Sequence, residues 1–227
     1  MGRIFVTGDT HGDISIQKIK YFKKIMVTDL TRDDILIVCG DMGICWDGDR
    51  FDKYIQTYWS QQPMTVLFID GNHENFDVLT KYPITEKWGG KVQQITENVY
   101  HLMRGEIYNI YDKTFFAFGG AASHDKHCRK EGISWWPQEM PSQEEYENGI
   151  RSLECNNYSV DFVITHSVDK ESLKLINPHY ETDSLNQFFN IVKNDIEYSH
   201  WFCGHYHLDG LLPNNITLIY NKIVQIL

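Results

Sequence analysis

The 227-residue chain has little with which to grip a polyanion. Lysine and arginine number 21 against 31 aspartates and glutamates, a net charge of −10 at pH 7. Proteins that bind nucleic acid in general do so with excess Lys and Arg, so this balance argues against duplex nucleic acid as a partner. It leaves room for a local basic site or for bound cations. Long apolar runs are missing too. No stretch nears the roughly 18 apolar residues that cross a bilayer. The N-terminus reads Met-Gly-Arg-Ile-Phe-Val-Thr-Gly-Asp, entering a strand with no charged segment ahead of an apolar one. We expect neither a membrane partner nor a signal peptide. Cysteine is sparse and odd in count, with Cys39, Cys45, Cys128, Cys155 and Cys203 lacking Cys-x-x-Cys spacing. That argues against a disulfide framework or a thiolate zinc site, and points to a reducing, cytoplasmic setting. No repeat, low-complexity run or Pro/Gly/Ser linker interrupts the chain, so residues 1–227 read as one domain. Hydrophobic residues at 42% and charged residues at 23% fit a globular chain rather than a disordered one.

What the chain does have is alternation of strand and helix patterns. Residues 3–7, 35–39 and 65–69 are short apolar runs, as in strands buried on both faces. Between them, Asp13 is placed to cap a helix over residues 14–26, with Ile16, Ile19 and Phe22 on one face, and Asp49 to cap another over residues 50–60. This β-α-β-α-β order predicts a mostly parallel sheet. Later, residues 106–110 and 114–118 flank Tyr111-Asp112-Lys113 as an antiparallel hairpin, and Ser142-Gln-Glu-Glu145 is a capping box opening a helix to about residue 155. Strands are expected at 161–165 and 201–203, a helix at 182–195, and one or two antiparallel strands in the tail from 211 to 227. Parallel strands first and hairpins later predict two packed sheets with helices outside.

Each buried strand ends in a polar cluster. In order these are Gly8-Asp9-Thr10-His11-Gly12, Gly40-Asp41-Met42-Gly43, Asp70-Gly71-Asn72-His73-Glu74, His166-Ser167 and Gly204-His205-Tyr206-His207. Ligands of α/β folds bind at the carboxyl ends of strands, and five of the ten histidines fall in these blocks. Asp-x-His and His-x-His put two side chains on one side of an extended segment. Imidazole, carboxylate and amide oxygen together suit borderline or hard divalent ions. Asp9, His11, Asp41, Asn72, His166, His205 and His207 are too many ligands for one tetrahedral ion. They suit two, roughly 3.5–4 Å apart, which clamp a phosphoryl group and lower the pKa of a bridging water that attacks phosphorus in line. A lone Gly-Asp after a strand is usually a turn; five clusters at successive strand ends are not independent accidents.

Asp9-x-His11, Gly40-Asp41, Gly71-Asn72-His73-Glu74, His166 and Gly204-His205-x-His207 resemble the motif blocks of the calcineurin-like metallophosphoesterase superfamily, in the family's order. The resemblance implies an α/β fold, a four-layer αββα sandwich of two mixed sheets flanked by helices. It also implies a dinuclear centre hydrolysing phosphate mono- or diesters. By the same resemblance, Asp9, His11, Asp41 and His207 would hold one metal. Asp41 would bridge to the second, held also by Asn72, His166 and His205. His73 would contact phosphate and protonate the leaving oxygen, with Asp41 and Asn72 beside it at the reacting centre. Mn, Fe, Zn, Ni and Co all match such a donor set, and Mn is the expectation.

One subgroup fits less well. Phosphoprotein phosphatases of this superfamily follow Gly-Asp closely with Val-Asp-Arg-Gly, whereas here Gly40-Asp41 runs into Met42-Gly43-Ile44-Cys45-Trp46-Asp47. A phosphorylated small molecule or a nucleotide is therefore the favoured substrate, and Asp47 is a candidate for orienting His73. Residues 119–141, rich in Gly, His and Trp, are similar to a stretch in a small set of bacterial and phage-borne metallophosphoesterases. There Lys126 or Arg129 could hold a phosphate oxygen, and Trp135 or Trp136 could stack on a base; the alternatives are a nuclease whose single-strand groove is lined by Trp136 and Arg129, and a loop stapled by its aromatics with charges facing solvent. Arg104 and Arg151 read as ordinary surface charges. A scaffold that kept the fold without the chemistry would be expected to lose ligands, and none is missing.

Overall fold

The computed structural model describes residues 2–14, 16–25 and 29–227, the side chains of Ile16 and Ile25 excepted. Strand β1 (Ile4–Thr7) leads to α1 (Ile16–Ile25), β2 (Ile35–Val38), α2 (Arg50–Ser60), β3 (Thr65–Phe68) and the short α3 (Phe76–Leu79). Three strands follow that the hydropathy pattern does not announce: β4 (Ile84–Lys87), β5 (Gly90–Thr96) and β6 (Val99–Leu102). The hairpin β7 (Glu106–Ile110) and β8 (Lys113–Phe118) comes next, then a long loop, α4 (Gln143–Cys155), β9 (Ser159–Thr165), α5 (Lys170–Ile176), α6 (Ser184–Asp195) and β10 (Glu197–Cys203). The chain closes with β11 (Gly210–Leu212), β12 (Ile216–Leu218) and β13 (Val224–Gln225).

The described strands form a seven-stranded sheet, ordered β13-β1-β2-β3-β6-β5-β4, and a six-stranded sheet, ordered β11-β12-β10-β9-β8-β7. Within the first, β1, β2, β3 and β6 run parallel; within the second, β8, β9, β10 and β12 do. Both parallel blocks therefore present carboxyl ends, where their loops can meet.

Side-chain alternation builds the layers. Ile4 and Val6 of β1, Ile35 and Ile37 of β2, and Phe115 and Ala117 of β8 share one core between the sheets. Phe5, Leu36 and Val38 point the other way and pack with Ile19, Ile55 and Trp59 of the helices α1 and α2. Phe116 and Phe118 point away from the inter-sheet core too, meeting Leu153, Leu173, Leu185 and Phe189 of α4, α5 and α6. Period-two alternation on two sheets thus yields three apolar interfaces between four layers, the αββα sandwich expected from the sequence.

Local expectations fared unevenly. The capping box at Ser142 is formed, with Ser142 Oγ accepting from Glu145 N and Glu145 reaching back to Ser142 N at 2.7 Å. Helix α2 has the expected bounds, but Asp49 makes no side-chain cap. Asp47 and Asp52 instead collect the N–H groups of the turn. Asp13 and Ile14 lie in a turn ahead of α1, and Met26 lies outside the described residues. The β7–β8 turn is tighter than expected. Tyr111 and Asp112, at φ 53° and 59°, make it alone, and Lys113 already pairs with Ile110. The tail serves both sheets: β11 and β12 extend the second, while β13 pairs with β1 in the first.

Candidate metal centre

The loops after β1, β2, β3, β9 and β10 converge. Asp9, His11 and His207 offer ligand atoms all within 4.8 Å of one another, and so do Asp9, Asp41 and His166. His11 Nε2 lies 3.0 Å from His207 Nε2, and Asp9 Oδ1 lies 3.8 Å from His207 Nε2. Asp41 Oδ2 stands between the two halves, 3.9 Å from His11 Nε2 and 3.3 Å from His166 Nε2. Asn72 Oδ1 is 3.2 Å from His166 Nε2, and the His205 ring is 5.0 Å from that of His166.

The backbone is bent to bring them there. Asp9, His11, Asp41, His205 and His207 all have positive φ, between 25° and 69°. Left-handed backbone costs a non-glycine residue about 1–3 kcal/mol, and such outliers gather where the surrounding structure imposes them. The loops brace one another, His11 N donating to Asp41 O at 2.8 Å and Gly12 N to Met42 O at 2.9 Å. Two glycines are required by close approach. A Cβ on Gly40, at φ 88°, would lie 2.1 Å from His166 Nδ1, and one on Gly71 would lie 2.0 Å from Asp41 Oδ1.

The donor chemistry calls for a cation. His166 Nδ1 sits 2.7 Å from the Cys39 carbonyl, which can only accept, so Nδ1 carries a proton. Nε2 then faces Asp41 Oδ2 and Asn72 Oδ1, both acceptors. Burial pushes Asp9 up to about 7. Burial opposes charge on His166 as well, yet the Asp41 carboxylate beside it raises that imidazole to about 10. The same imidazole draws Asp41 below the ordinary carboxylate range against the pull of burial. The cluster therefore gathers acceptors around one borrowed positive charge. Burial lowers His11 to about 4 and His205 to about 3, keeping those rings neutral, the form that ligates. The residues fit divalent ions.

His73 borders the cluster. Its N–H donates to Asp41 Oδ1 at 2.8 Å, and its ring is 5.5 Å from that of His11. The Arg129 guanidinium lies across it, Nη1 3.1 Å from Nδ1 and Nη2 3.3 Å from Nε2. Burial first, then Arg129, pushes His73 below the ordinary histidine value against the opposing pull of Asp41. Arg129 is itself held by Asp125, Nε to Oδ1 at 2.7 Å. Lys126 does not stand free: its Nζ lies 2.8 Å from Oε1 of the fully buried Glu139 and 5.1 Å from the Trp135 ring.

Three readings are corrected. Asp47 does not orient His73: its carboxylate accepts the N–H groups of Asp49, Phe51 and Asp52. Trp136 is 2% exposed, packs in the α1–α2 core and donates Nε1–H to Asp77, so it offers no stacking face. Arg104 is no surface charge; it is 6% exposed and holds Asp70 beneath the centre. Arg151, by contrast, is exposed opposite Glu147.

Some supporting residues escape sequence reasoning. Tyr220 stacks on His207, centroids 4.3 Å apart at 13°, and Lys18 donates to both Gly8 O and Tyr220 O. The buried Glu74 accepts Met42 N at 2.8 Å and so braces the Asp41 loop. Asn72 Nδ2 donates to Ser123, which in turn meets Glu139. Glu74, in its motif block, and Ser123 and Glu139, in the 119–141 loop, lay in stretches the sequence marked; Tyr220 and Lys18 carried no signal.

A family model for calcineurin-like phosphoesterase matches residues 2–209. The chain belongs to that family. It is a family of phosphate ester hydrolases, and the match covers every candidate ligand. No curated protein matches the sequence. Among matching solved structures is a putative 5′-nucleotidase from Staphylococcus aureus, solved in complex with alpha-ketoglutarate. It is 14% identical with a TM-score of 0.49, over 98% of this chain and 50% of that one. The chain thus spans about half the length of that protein. No described helix is long and apolar enough to cross a membrane.

Proposed function

We propose that the chain hydrolyses phosphate mono- or diesters of small molecules or nucleotides at a pair of divalent ions. The observation that carries this reading is the two ligand groups, Asp9-His11-His207 and Asp9-Asp41-His166, sharing Asp9. Asp41 Oδ2 lies within 3.9 Å of a histidine from each. Asp9, His11, Asp41 and His207 would hold one ion, and Asp41, Asn72, His166 and His205 the other. Bound there, two divalent ions supply charge to phosphoryl oxygens and acidify a water. His207, with its side chain 48% exposed, opens this edge to solvent.

The chain's own residues do the rest. Asp41 divides its work, Oδ2 to the centre and Oδ1 to the His73 N–H, which ties the His73 loop to the ligand it flanks. His73 would meet the leaving oxygen, where a hydrogen bond or proton from its ring would act. Arg129 beside it carries a planar fork suited to phosphoryl oxygens, which would have to turn from the His73 ring to meet them. Lys126, engaged by Glu139, is left out of the phosphate-binding set. The buried Trp136 removes one support for a single-strand nuclease.

The test is turnover by protein loaded with Mn and then with Fe, Zn, Ni or Co. Substrates are p-nitrophenyl phosphate, bis-p-nitrophenyl phosphate and a panel of nucleotides and phosphorylated metabolites. Hydrolysis abolished by Asp41→Asn with folding retained supports the reading; no hydrolysis with any ion overturns it.

A further inference from the structure

We propose that Glu139, acting through Ser123, is a positioning residue that sets which way the Asn72 carboxamide points. The inference rests on the metal-centre reading above and adds a residue from the 119–141 loop to it. Glu139 ends a short 3-10 turn (Pro137–Glu139) and is fully buried; Ser123 and Asn72 are each 4% exposed. Glu139 Oε1 accepts from Ser123 N at 2.9 Å and lies 2.8 Å from Lys126 Nζ. Its Oε2 accepts the Ser123 hydroxyl at 2.6 Å.

A hydroxyl has one proton, and an ion-paired carboxylate only accepts. The Ser123 proton is therefore spent on Glu139, and Ser123 Oγ can only accept from its other neighbour. That neighbour, 3.0 Å away, must be the NH2 of Asn72. The orientation of an amide is decided by such a network, since its two arms are nearly alike in shape. With Nδ2 committed to Ser123, Oδ1 is turned toward His166 Nε2, 3.2 Å away, as an oxygen donor to the centre. An NH2 in the same place could not ligate an ion.

The logic has a polarity that can be inverted. In Glu139→Gln the oxygen of the new amide takes the Oε1 place, because that place faces two donors, Ser123 N–H and the Lys126 ammonium. Its NH2 then faces Ser123 Oγ and donates. The Ser123 proton, no longer spent on Glu139, is free to swing to Asn72, which favours Oδ1 on that side and the NH2 toward the ion. Ser123→Ala removes the link without this inversion and leaves the carboxamide unguided.

The experiment is calorimetric titration of the whole protein with Mn2+ alone, with thermal unfolding as a folding check. Wild type is expected to bind two ions, and its failure to bind any refutes the metal-centre reading itself. Groups that orient metal ligands typically contribute 10–100-fold in affinity. Glu139→Gln is expected to weaken one ion by that factor and leave the Asp9-His11-His207 ion unchanged. Ser123→Ala should weaken the same ion less, and it carries the test if Glu139→Gln does not fold. Asn72→Asp has oxygen on both arms, so in its background Glu139→Gln should cost no further affinity. A purely structural role would not produce that non-additivity. Unchanged affinities in folded variants, equal loss of both ions, or a full additional loss in the Asn72→Asp background would overturn the proposal.

Discussion

Arg104→Leu strikes a contact that no exposure to water softens. Arg104 Nε donates to Asp70 Oδ2 at 2.9 Å and Nη2 to the same oxygen at 2.5 Å. Nη1 reaches Glu145 Oε2 at 3.2 Å, and Nη2 also reaches the Gln138 carbonyl at 2.8 Å. One side chain thus joins the end of β3, the 119–141 loop and the start of α4. Asp70 is 1% exposed. Burial alone would raise its pKa, but Arg104 and His101 hold it below the ordinary carboxylate range. Removing one partner of a buried pair leaves an uncompensated charge, at a cost of about 3–5 kcal/mol. At about 2–4 °C per kcal/mol for a chain of this size, Tm is expected to fall by about 6–20 °C. Scanning calorimetry of the apo protein measures it. The double variant Asp70→Asn/Arg104→Leu should regain part of the loss, since the orphaned charge is gone. A loss under about 1 kcal/mol, or a double variant no better than the single, would refute the argument.

Acid should strip metal, because imidazole ligands bind only when neutral. Burial keeps the His11 ring neutral down to about 4, so occupancy measured by elemental analysis is expected to persist below the free histidine value of about 6.5 and to fall as pH drops through about 4; loss complete by about pH 6, or full occupancy at about pH 3, would contradict this. Gly40→Ala is expected to abolish metal binding, since its Cβ would lie 2.1 Å from His166 Nδ1, and to cost at least the ~1–2 kcal/mol of left-handed backbone; equilibrium dialysis and urea unfolding report the two effects. The hydrogen bond from Arg3 holds Asp34 below the ordinary carboxylate range. A depressed folded-state pKa stabilises above the unfolded value of about 3.9 and loses that contribution as pH falls through the folded one. Asp34→Asn should therefore destabilise at pH 7 and converge on wild type in strong acid, which unfolding curves across pH would check.

Much of the site was legible because its signals are local. Gly-Asp, Asn-His and His-x-His at strand ends are short-range patterns, and β1, β2 and β3, which feed the first three blocks, are short strands of four mostly apolar residues. Strand β4 was missed because all four of its residues are exposed, so burial leaves no period to read. Strand β5 alternates irregularly, and its register shifts between Gln94 and Thr96. Arg104 was misjudged because a charged residue after a strand looks alike whether it meets water or a carboxylate 34 positions earlier. Trp136 could be read either way for the same reason: an aromatic in a long loop can cover the core as well as a ligand, and here it covers the core.

Local patterning carries the alternation that makes two sheets and three apolar interfaces, and the candidate ligands at five strand ends. Hydrophobic period and motif spacing are properties of neighbouring residues, and they survive without knowledge of the fold. How polar groups far apart in the chain satisfy one another emerges with the packed fold. Asn72 meets Ser123 across 51 positions, and His205 N meets Asp9 across 196. A buried donor needs some acceptor, and many in the chain would serve; packing selects one. That selection gives the candidate ligands one fixed orientation.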